Sequence, residues 1–409
     1  MKLSKFGAFA AVAALAFAAC GAAGSTPPTD ALGVVTIPSG EKIHLAFWGV
    51  LSGADASLGQ DALTGAQIAV DDKGGKVAGH DINLTTEDGL CTVDGGAAAA
   101  AKMAADNTIV GLIGSSCSDE AVGGIAALTS AGLTTISPSN TRPALTAPDR
   151  DATFAGYLRT AHSDAFQGKA VADFVYTVLG MKTAATIHDG SAYAEALQQV
   201  FADNFTELGG TIVAQEAVSK GQTDMKPVLT KVAAAKPDVI YDPVFVAEGG
   251  FLWAQHKEVP GLEKVVMIGS DGMFTPDFVK AAGPAAEGNY LSSPNFSAFQ
   301  AGYADFLTKY QTKVGSAPIS AFHAHAYDAM NIMLAAIEKV AVTGSDGTTY
   351  IPKQALRDAI FATKDFQGIT GILSCSASGD CGAPLIAMYQ ISATEVGGSW
   401  PPAAPVWPK

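Results

Sequence analysis

The sequence predicts an α/β fold made of two doubly wound lobes. Three observations support this prediction. Strand-like and helix-like segments alternate, the alternation starts again after residues 158–164, and the chain has 409 residues. Such alternation is typical of parallel sheets with helices on both faces. A chain of this length exceeds what one hydrophobic core usually supports, so two lobes are expected.

The first half of the chain predicts four strands separated by three helices. The strands are IHLAFWGV, INLTTEDG, TIVGLIG and LTTISPS. The helices are LGQDALTGAQIAVDDK, VDGGAAAAAKMAADN and SDEAVGGIAALTSAG. This βαβαβαβ order is the pattern of one parallel sheet.

The second half predicts another lobe of the same kind. Its strands are TAATIHD, TIVAQEAV, DVIYDPVF and KVVMIGSDG, and helical segments lie between them. Two long helices, a helix near residues 353–362 and the closing strands GILSCS and LIAMYQI follow. Two such lobes in tandem place a crevice between them, and ligands are expected beyond the carboxyl ends of the strands.

Residues 1–20 are predicted to be a lipoprotein signal peptide. The basic start MKLSK precedes an uncharged run over residues 6–19, which is too short to span a bilayer but fits a signal peptide. The small residues before Cys20 resemble a bacterial lipobox, although Phe17 stands where Leu is usual. Cys20 would then be acylated; the alternative is a soluble secreted protein cut within residues 18–24. Residues 21–41 are small, polar and Pro-containing, and predict a flexible tether.

The five cysteines, Cys20, Cys91, Cys117, Cys375 and Cys381, form an odd set for an exported protein. A lipidated Cys20 leaves four thiols, enough for two disulfides in an oxidising compartment. Cys375 and Cys381 flank the turn sequence SASGD, so a local disulfide is expected there. Cys91 and Cys117 would then pair with each other.

Charge and motifs argue against several classes of function. The formal net charge is −14 and only 16% of residues are charged, which does not suit binding to nucleic acid. Sequence motifs of P-loops, dinucleotide sites, α/β-hydrolases and zinc proteases are missing. His323 and His325 are two residues apart and would point to different sides of a helix, so no metal site is expected. We therefore expect a protein that is not an enzyme and uses no cofactor.

Polar residues at predicted strand ends indicate a site for a zwitterion. Ser118 is expected to be the N-cap of a helix starting at Asp119, whose free N–H groups could bind a carboxylate. The loop SPSNT, residues 137–141, offers oxygens to an ammonium group. Asp271 supplies a carboxylate from the opposite lobe. Plain helix capping by Ser118 and a turn role for Asp271 remain open alternatives.

The segment GSSCSDEAVGGIAALTSAGLTTISPSNTRPALT resembles the periplasmic leucine/isoleucine/valine-binding proteins. These are the substrate-binding subunits of branched-chain amino-acid ABC transporters and are type I periplasmic binding proteins. The resemblance extends over residues 43–391 and includes LSGADASLGQDALTGAQIAV, TTEDGLC, TIHDGSAYAEAL, IGSDGMF and AFHAHAYDA. The order and spacing of these motifs are specific to the family, whereas no single motif is.

The resemblance implies a ligand set. Ser118 would bind the ligand carboxylate, the main-chain carbonyl of Ser139 would accept from the α-ammonium, and Thr141 would contact both charged ends. Tyr193, in HDGSAYA, matches the family's tyrosine. Asp271 stands where the family commonly has Glu. The family's disulfide corresponds to Cys91 and Cys117.

Two departures from the family make the expected pocket more apolar. Leu58 replaces an aromatic lining residue, and Phe245 replaces a tyrosine. The groups that would recognise an amino-acid head are retained, so an α-amino acid remains the expected ligand. Its side chain stays open: branched aliphatic, aromatic, acidic or amide.

The family's chain crosses between the lobes three times, and we expect these crossings near Thr160, Ser293 and Thr348. Lobe one would then comprise 41–160 plus 294–348, and lobe two 161–293 plus 349–409. The resemblance implies a lipid-anchored binding protein in the periplasm or on the outer face of the cytoplasmic membrane. It would deliver its ligand to an ABC permease; the alternatives are a sensor of the same fold and an enzyme using Ser118, Cys117 or His188.

Overall fold

The computed structural model describes residues 28–408. The expected signal peptide over residues 1–20 and the lipidated Cys20 lie outside this range. The strands are β1 (Val34–Ile37), β2 (Ile43–Gly49), β3 (Lys76–Val77), β4 (His80–Asp88), β5 (Ile109–Gly114), β6 (Thr135–Ser137), β7 (Tyr157–Arg159), β8 (Thr183–His188), β9 (Thr211–Ala217), β10 (Val239–Tyr241), β11 (Val266–Gly269), β12 (Tyr290–Pro294), β13 (Val342–Thr343), β14 (Thr349–Pro352), β15 (Phe366–Gly368), β16 (Gly371–Leu373) and β17 (Ile386–Gln390).

Helices cover both large sheets. They are α1 (Ala56–Asp72), α2 (Val93–Ala104), α3 (Ser118–Ser130), α4 (Asp164–Asp173), α5 (Ala192–Glu207), α6 (Lys226–Ala235), α7 (Val246–His256), α8 (Pro276–Ala282), α9 (Gly302–Val314), α10 (His323–Val340), α11 (Lys353–Phe361) and α12 (Ala393–Val396). None of the helices between residues 28 and 408 combines the length and apolar character needed to cross a lipid bilayer.

The first lobe is built on a sheet with the strand order β3-β4-β2-β5-β6-β7. All its pairs are parallel except β3 with β4. Alternate residues of β2 face opposite sides of this sheet, as the period of a strand requires. Leu45 and Phe47 pack with α1 and α10, whereas Ala46 and Trp48 pack with α2 and α3.

The second lobe has the strand order β17-β12-β11-β10-β8-β9. Its strands are parallel except β17, which pairs antiparallel with β12. A core rich in aromatic side chains fills this lobe; Phe201, for example, stacks on Phe205 with a centroid distance of 5.4 Å. The predicted fold of two doubly wound α/β lobes is confirmed.

The chain passes between the lobes three times. It leaves the first sheet between β7 and α4, returns after β12 toward α9, and leaves again between Cys381 and β17. The passing segments contact one another, and the main chains at Arg159 and Asp380 form a short parallel β-bridge. Gly382 lies so close to the first segment that a side-chain carbon there would be 2.1 Å from the Ala161 carbonyl oxygen. These segments form a three-stranded hinge.

The expected third crossing near Thr348 is wrong. Strand β14 pairs with β1, and Leu356 and Ile360 of α11 pack in the core of the first lobe. Residues 349–381 therefore belong to lobe one. Sequence periodicity shows that an apolar face exists but does not show which of two cores it fills.

The expectation of a flexible tether over residues 21–41 is wrong for residues 28–41, the part of this segment that the structure describes. Val35 and Ile37 of β1 are buried against β14. The Asp30 carboxylate accepts hydrogen bonds from the main-chain N–H groups of Gln354 (2.9 Å) and Ala355 (3.2 Å), at the start of α11. The Pro-containing composition concealed a short strand that completes a small sheet on lobe one.

Candidate functional site

The cleft between the lobes contains a small cavity of about 10 Å³, which is near the lower limit for holding one water molecule. The residues that line it come from both lobes and are Leu58, Ser116, Cys117, Ser118, Ser139, Tyr193, Phe245, Asp271, Gly272 and Phe322. Most of them follow the carboxyl ends of β5, β6, β10 and β11, where open α/β sheets bind ligands.

All of the ligand-binding residues expected from the sequence line this cavity except Thr141. That residue is buried two positions beyond Ser139 on the same loop. Within residues 28–408, its hydroxyl makes no hydrogen bond of ordinary geometry, but it lies close enough to the Asp164 carboxyl to lower the pKa of that group. Thr141 therefore remains near the site, although its side chain does not line the cavity itself.

The first wall of the cavity is the start of α3. Helix α3 begins at Ser118, and Cys117 occupies the N-cap position. Ser118 is therefore the first helical residue rather than the N-cap that we expected. Helix starts present unpaired N–H groups and a partial positive charge, which favour an anion such as a carboxylate.

A buried carboxylate holds this helix start in place. Glu120 Oε2 accepts from the main-chain N–H groups of Ser116 and Cys117, both at 2.9 Å, and its Oε1 accepts from Cys91 N at 3.0 Å. Burial raises the pKa of the Glu120 carboxyl to about 7, although the hydrogen bonds from these three N–H groups lower it. Gly96 on α2 allows α3 to pack closely against it, because a side-chain carbon at Gly96 would lie 2.4 Å from Glu120 Cα.

The structure contains the two disulfides expected from the sequence. Cys91 is joined to Cys117 and Cys375 to Cys381. The first disulfide connects the loop after β4 to the start of α3, so it fixes the same segment that Glu120 binds. The Cys117 thiol is consumed by this bond and cannot act as a nucleophile.

The loop after β6 completes the first wall. The Ser137 hydroxyl accepts from the main-chain N–H groups of Ser139 (3.2 Å) and Asn140 (2.9 Å). The Ser139 hydroxyl donates to the Ser116 carbonyl oxygen at 2.8 Å. These bonds tie the loops after β5 and β6 into one surface of hydroxyl and main-chain groups.

The second wall carries a negative charge within a hydrogen-bonded network. Asp271 Oδ1 accepts from Gln167 Nε2 at 2.6 Å and from the Tyr193 hydroxyl at 2.8 Å. The Tyr193 hydroxyl also lies 2.6 Å from Ser270 Oγ. Burial, and then the charge of Asp271, raise the pKa of Tyr193 well above its ordinary value. Tyr193 is therefore a neutral donor that orients the Asp271 carboxylate.

Apolar side chains occupy the rest of the lining. Leu58 on α1 and Phe322 before α10 come from the first lobe, and Phe245 before α7 comes from the second. The Phe245 and Tyr193 rings lie 5.2 Å apart between centroids. The cavity thus combines a polar end with an apolar surface, as small-molecule sites commonly do.

The sequence model described as "Periplasmic binding protein" matches residues 42–390. The chain belongs to the periplasmic binding protein family. A similar protein, named Leu/Ile/Val-binding protein homolog 3, from Brucella melitensis biotype 1, is 28% identical over 83% of this chain and 89% of its own length.

Two solved structures resemble this periplasmic binding protein over 86% of its chain, each with 25% identity. One is a leucine binding protein, LivK, from Thermotoga maritima, with 96% of its chain covered and a TM-score of 0.76. The other is the branched-chain amino acid transporter substrate binding protein LivJ from Streptococcus pneumoniae in complex with isoleucine, with 97% covered and a TM-score of 0.74. Together these comparisons identify a type I periplasmic binding protein of the branched-chain amino-acid group, whose members are binding proteins rather than enzymes.

Contacts across the cleft hold the two lobes of this binding protein together. Asp119 Oδ1 accepts from the main-chain N–H of Ala192 at 2.9 Å, and Asp55 Oδ1 accepts from that of Val246 at 3.2 Å. Lys220 Nζ of lobe two donates to the Cys91 carbonyl oxygen of lobe one. Two carboxylates of lobe one thus lie at the helix starts of α5 and α7, where the helix dipole favours them.

Burial in these contacts shifts the pKa values of both carboxyl groups. The pKa of Asp55 is raised to about 6 and that of Asp119 is also raised, in each case mainly by burial. The positive charge of Lys220 lowers the pKa of both carboxyl groups and so opposes this rise. The described conformation is therefore closed, with its closing contacts sensitive to protonation.

Sequence reasoning missed several buried polar groups near the site, and Asp164 is one of them. Asp164 is the first residue of α4, and its main-chain N–H donates to the Thr141 carbonyl oxygen at 2.9 Å. In the described part of the chain, its carboxyl oxygens make no hydrogen bond of ordinary geometry, although the nearby Thr141 hydroxyl lowers the pKa of this carboxyl group. Burial, and then the charge of Asp271, raise its pKa well above the ordinary value. The only sequence signal was a polar helix start, SDAFQ, directly after the first crossing.

Proposed function

We propose that this chain captures an α-amino acid in the cleft between its lobes and delivers it to the permease of an ABC importer. One observation carries the proposal: the two walls of the cavity offer opposite chemistry. The start of α3 with Ser118 suits a carboxylate, and Asp271 on the other lobe suits an ammonium group. A zwitterion satisfies both walls at once, whereas a simple acid or a simple amine satisfies one.

Each wall has a defined role in this proposal. The α-carboxylate lies against Ser118 and the first N–H groups of α3. The α-ammonium donates to Asp271 and to the carbonyl oxygen of Ser139, and the Thr141 hydroxyl contacts both charged ends of the ligand. Because these groups belong to different lobes, the ligand favours the closed form by its higher affinity for that form. Closure also removes water from the charged contacts.

Delivery to a permease requires the protein to stay near a membrane outside the cytoplasm. The lipobox-like segment before Cys20 supports a lipid anchor in the periplasm or on the outer face of the cytoplasmic membrane. The printed descriptions of the relatives support a role in transport, since one names a branched-chain amino acid transporter. The disulfides agree with an oxidising compartment.

A thermal-shift screen of the purified chain against α-amino acids, plain carboxylates and amines tests the proposal. A ligand that binds only the native state raises the melting temperature by mass action. We expect one or more α-amino acids to raise it and Ser118→Ala to reduce the shift. A shift produced by a plain carboxylate, with none from any α-amino acid, would contradict the proposed role of Asp271.

A further inference from the structure

A second and larger cavity lies beside the hinge, enclosed by α9, the second crossing segment and residues 401–404; we call it the hinge cavity. Its volume is about 360 Å³, which is within the range of small-molecule pockets. It shares no lining residue with the cavity in the cleft. The two are neighbours, because Phe322 lines the cleft cavity and the next residue, His323, lines the hinge cavity.

Both lobes and the hinge contribute walls to the hinge cavity. Tyr303 and Leu307 lie on α9 of lobe one. Phe296 lies on the second crossing segment, directly after β12. Phe274 follows β11 and Tyr389 lies on β17, both in lobe two. A molecule bound here would therefore contact both lobes.

The carboxyl-terminal wall is held on both of its sides. Before it, the Trp400 ring packs on the Phe274 ring at 4.8 Å between centroids. After it, the Val406 N–H donates to the Met388 carbonyl oxygen, and the Met388 N–H donates to that of Trp407, both at 2.8 Å. The wall is therefore formed without a ligand, as the walls of binding pockets usually are.

Five rings line the hinge cavity. Those of Phe296, Tyr303 and His323 lie 5.7–6.2 Å apart between centroids, and their planes are within 19° of one another. Phe274 and Tyr389 supply the other two. Flat apolar molecules pack favourably on such rings. Three nearly parallel rings do not form the cage that encloses a quaternary ammonium group.

The lining also excludes charged ligands. Among the described residues that line the hinge cavity there is no Asp, Glu, Lys or Arg. A charged molecule would lose its hydration there without gaining a counter-charge. The chemistry of the walls therefore favours an uncharged molecule.

One polar group of the hinge cavity has a defined direction. His323 Nδ1 lies 2.8 Å from Asp61 Oδ2 and 3.1 Å from the Ser320 carbonyl oxygen, and both of these groups accept. Nδ1 therefore carries the proton, and in the neutral imidazole Nε2 accepts from the Tyr303 hydroxyl at 2.8 Å. Burial, and then the charge of Asp61, raise the pKa of Tyr303 well above its ordinary value. With its proton donated to His323, the Tyr303 oxygen can only accept from a ligand.

We propose that the hinge cavity is a second binding site, for a small uncharged aromatic molecule with one hydrogen-bond donor, such as the N–H of an indole or the O–H of a phenol. The ring of the ligand packs on the aromatic walls, and its donor bonds to the Tyr303 oxygen. This inference does not depend on the proposed function, because the two cavities have different linings.

Indole and benzofuran provide a matched pair of probes, because they have nearly the same shape and only indole has an N–H donor. The measurement is a calorimetric titration of the purified chain at about pH 8, where an ordinary imidazole is neutral. We expect both probes to bind, and indole to bind about two- to tenfold tighter. In Tyr303→Phe, which keeps the ring and removes the oxygen, this preference should fall to about one.

Leu307→Trp tests where the probes bind. Leu307 is half-buried in the wall, so a larger side chain there occupies the cavity and should abolish indole binding. Val314→Trp is the control, because Val314 lies on the same helix, is 46% exposed and does not line the cavity. Melting curves check that both variants fold. Independently of the variants, diffraction from crystals soaked with a bromoindole should place the bromine between α9 and residues 401–404.

Four results would overturn the inference while leaving the proposed function intact. Absence of indole binding would reject the site, and unchanged indole binding in Leu307→Trp would place the probe elsewhere, such as in the cleft. Equal affinity for indole and benzofuran would remove the role of the Tyr303 oxygen. Binding of benzoate or tetramethylammonium at this site as tight as that of indole would reject an uncharged ligand. Failure of every α-amino acid to bind would instead reject the proposed function alone.

Discussion

The two walls of the cleft are built differently. The wall of lobe one is neutral where it faces the cavity, and its serines are held by main-chain hydrogen bonds, by Glu120 and by the Cys91–Cys117 disulfide. The wall of lobe two carries the Asp271 charge and is oriented by side chains alone, Gln167 and Tyr193. This difference suggests that lobe one is a rigid receptor for one end of the ligand, and lobe two supplies the charge that draws the lobes together.

Removing the charge of lobe two should have the largest effect on binding. Asp271→Asn keeps the size of the side chain but leaves a buried ammonium group unpaired, so we expect ligand affinity to fall by about 2–5 kcal/mol. Calorimetric titration with the ligand found in the screen measures this loss. Asp277→Asn, an exposed carboxylate on α8, is the control. Unchanged affinity in Asp271→Asn would remove the distinction between the walls.

Removing the covalent bond of lobe one should mainly affect stability. The Cys91–Cys117 disulfide spans 26 residues and the Cys375–Cys381 disulfide spans 6. Loop-closure entropy then predicts losses of about 3.5 and about 2 kcal/mol in the free energy of unfolding when each pair is replaced by Ser. Urea denaturation measures both values. Because only the first disulfide fixes the start of α3, only its loss should also weaken ligand binding.

A smaller change in lobe two tests how Asp271 is oriented. Tyr193→Phe removes the hydroxyl that donates to Asp271 at 2.8 Å and keeps the ring against Phe245. We expect affinity to fall by about 1.5–3 kcal/mol, because a hydrogen bond to a charged group is lost. Calorimetric titration of the variant with the same ligand measures this loss of affinity. An effect as large as that of Asp271→Asn would mean that Tyr193 touches the ligand directly.

The contacts across the cleft predict a modest dependence of affinity on pH. In the closed form burial raises the pKa of Asp55 to about 6, with Glu248 and Asp189 adding to the rise and Lys220 opposing it. When the lobes open, Asp55 meets water and its pKa should return toward about 4. The closed form therefore holds more protons between these values, and affinity should rise as pH falls below about 6.

The contribution of Asp55 should be about tenfold between pH 7 and pH 5, and Asp119, whose pKa is also raised, adds to it in the same direction. Asp55→Asn should make the profile shallower than that of the unaltered chain. An affinity that instead falls over this range would show that protonation of another group opposes closure.

Much of this architecture could be predicted from the sequence, because strands and helices alternate regularly and because the family motifs are ordered. The assignment of residues 349–381 to a lobe could not, since an amphipathic helix such as α11 fits either core. The short strand β1 was hidden by its Pro-containing surroundings. Asp164 was missed for a different reason: its importance depends on its burial beside the charge of Asp271, and this appears only when the loops are packed together.

The central claim is that the two ends of one amino acid are bound by different lobes. Its most direct test is a calorimetric titration of the purified chain with its best amino-acid ligand, with the corresponding acid lacking the amine, and with the corresponding amine lacking the carboxylate. The account predicts that the amino acid binds and that loss of either charged end weakens binding by about 2–5 kcal/mol. Equal affinity for the amino acid and for either truncated analogue would contradict it.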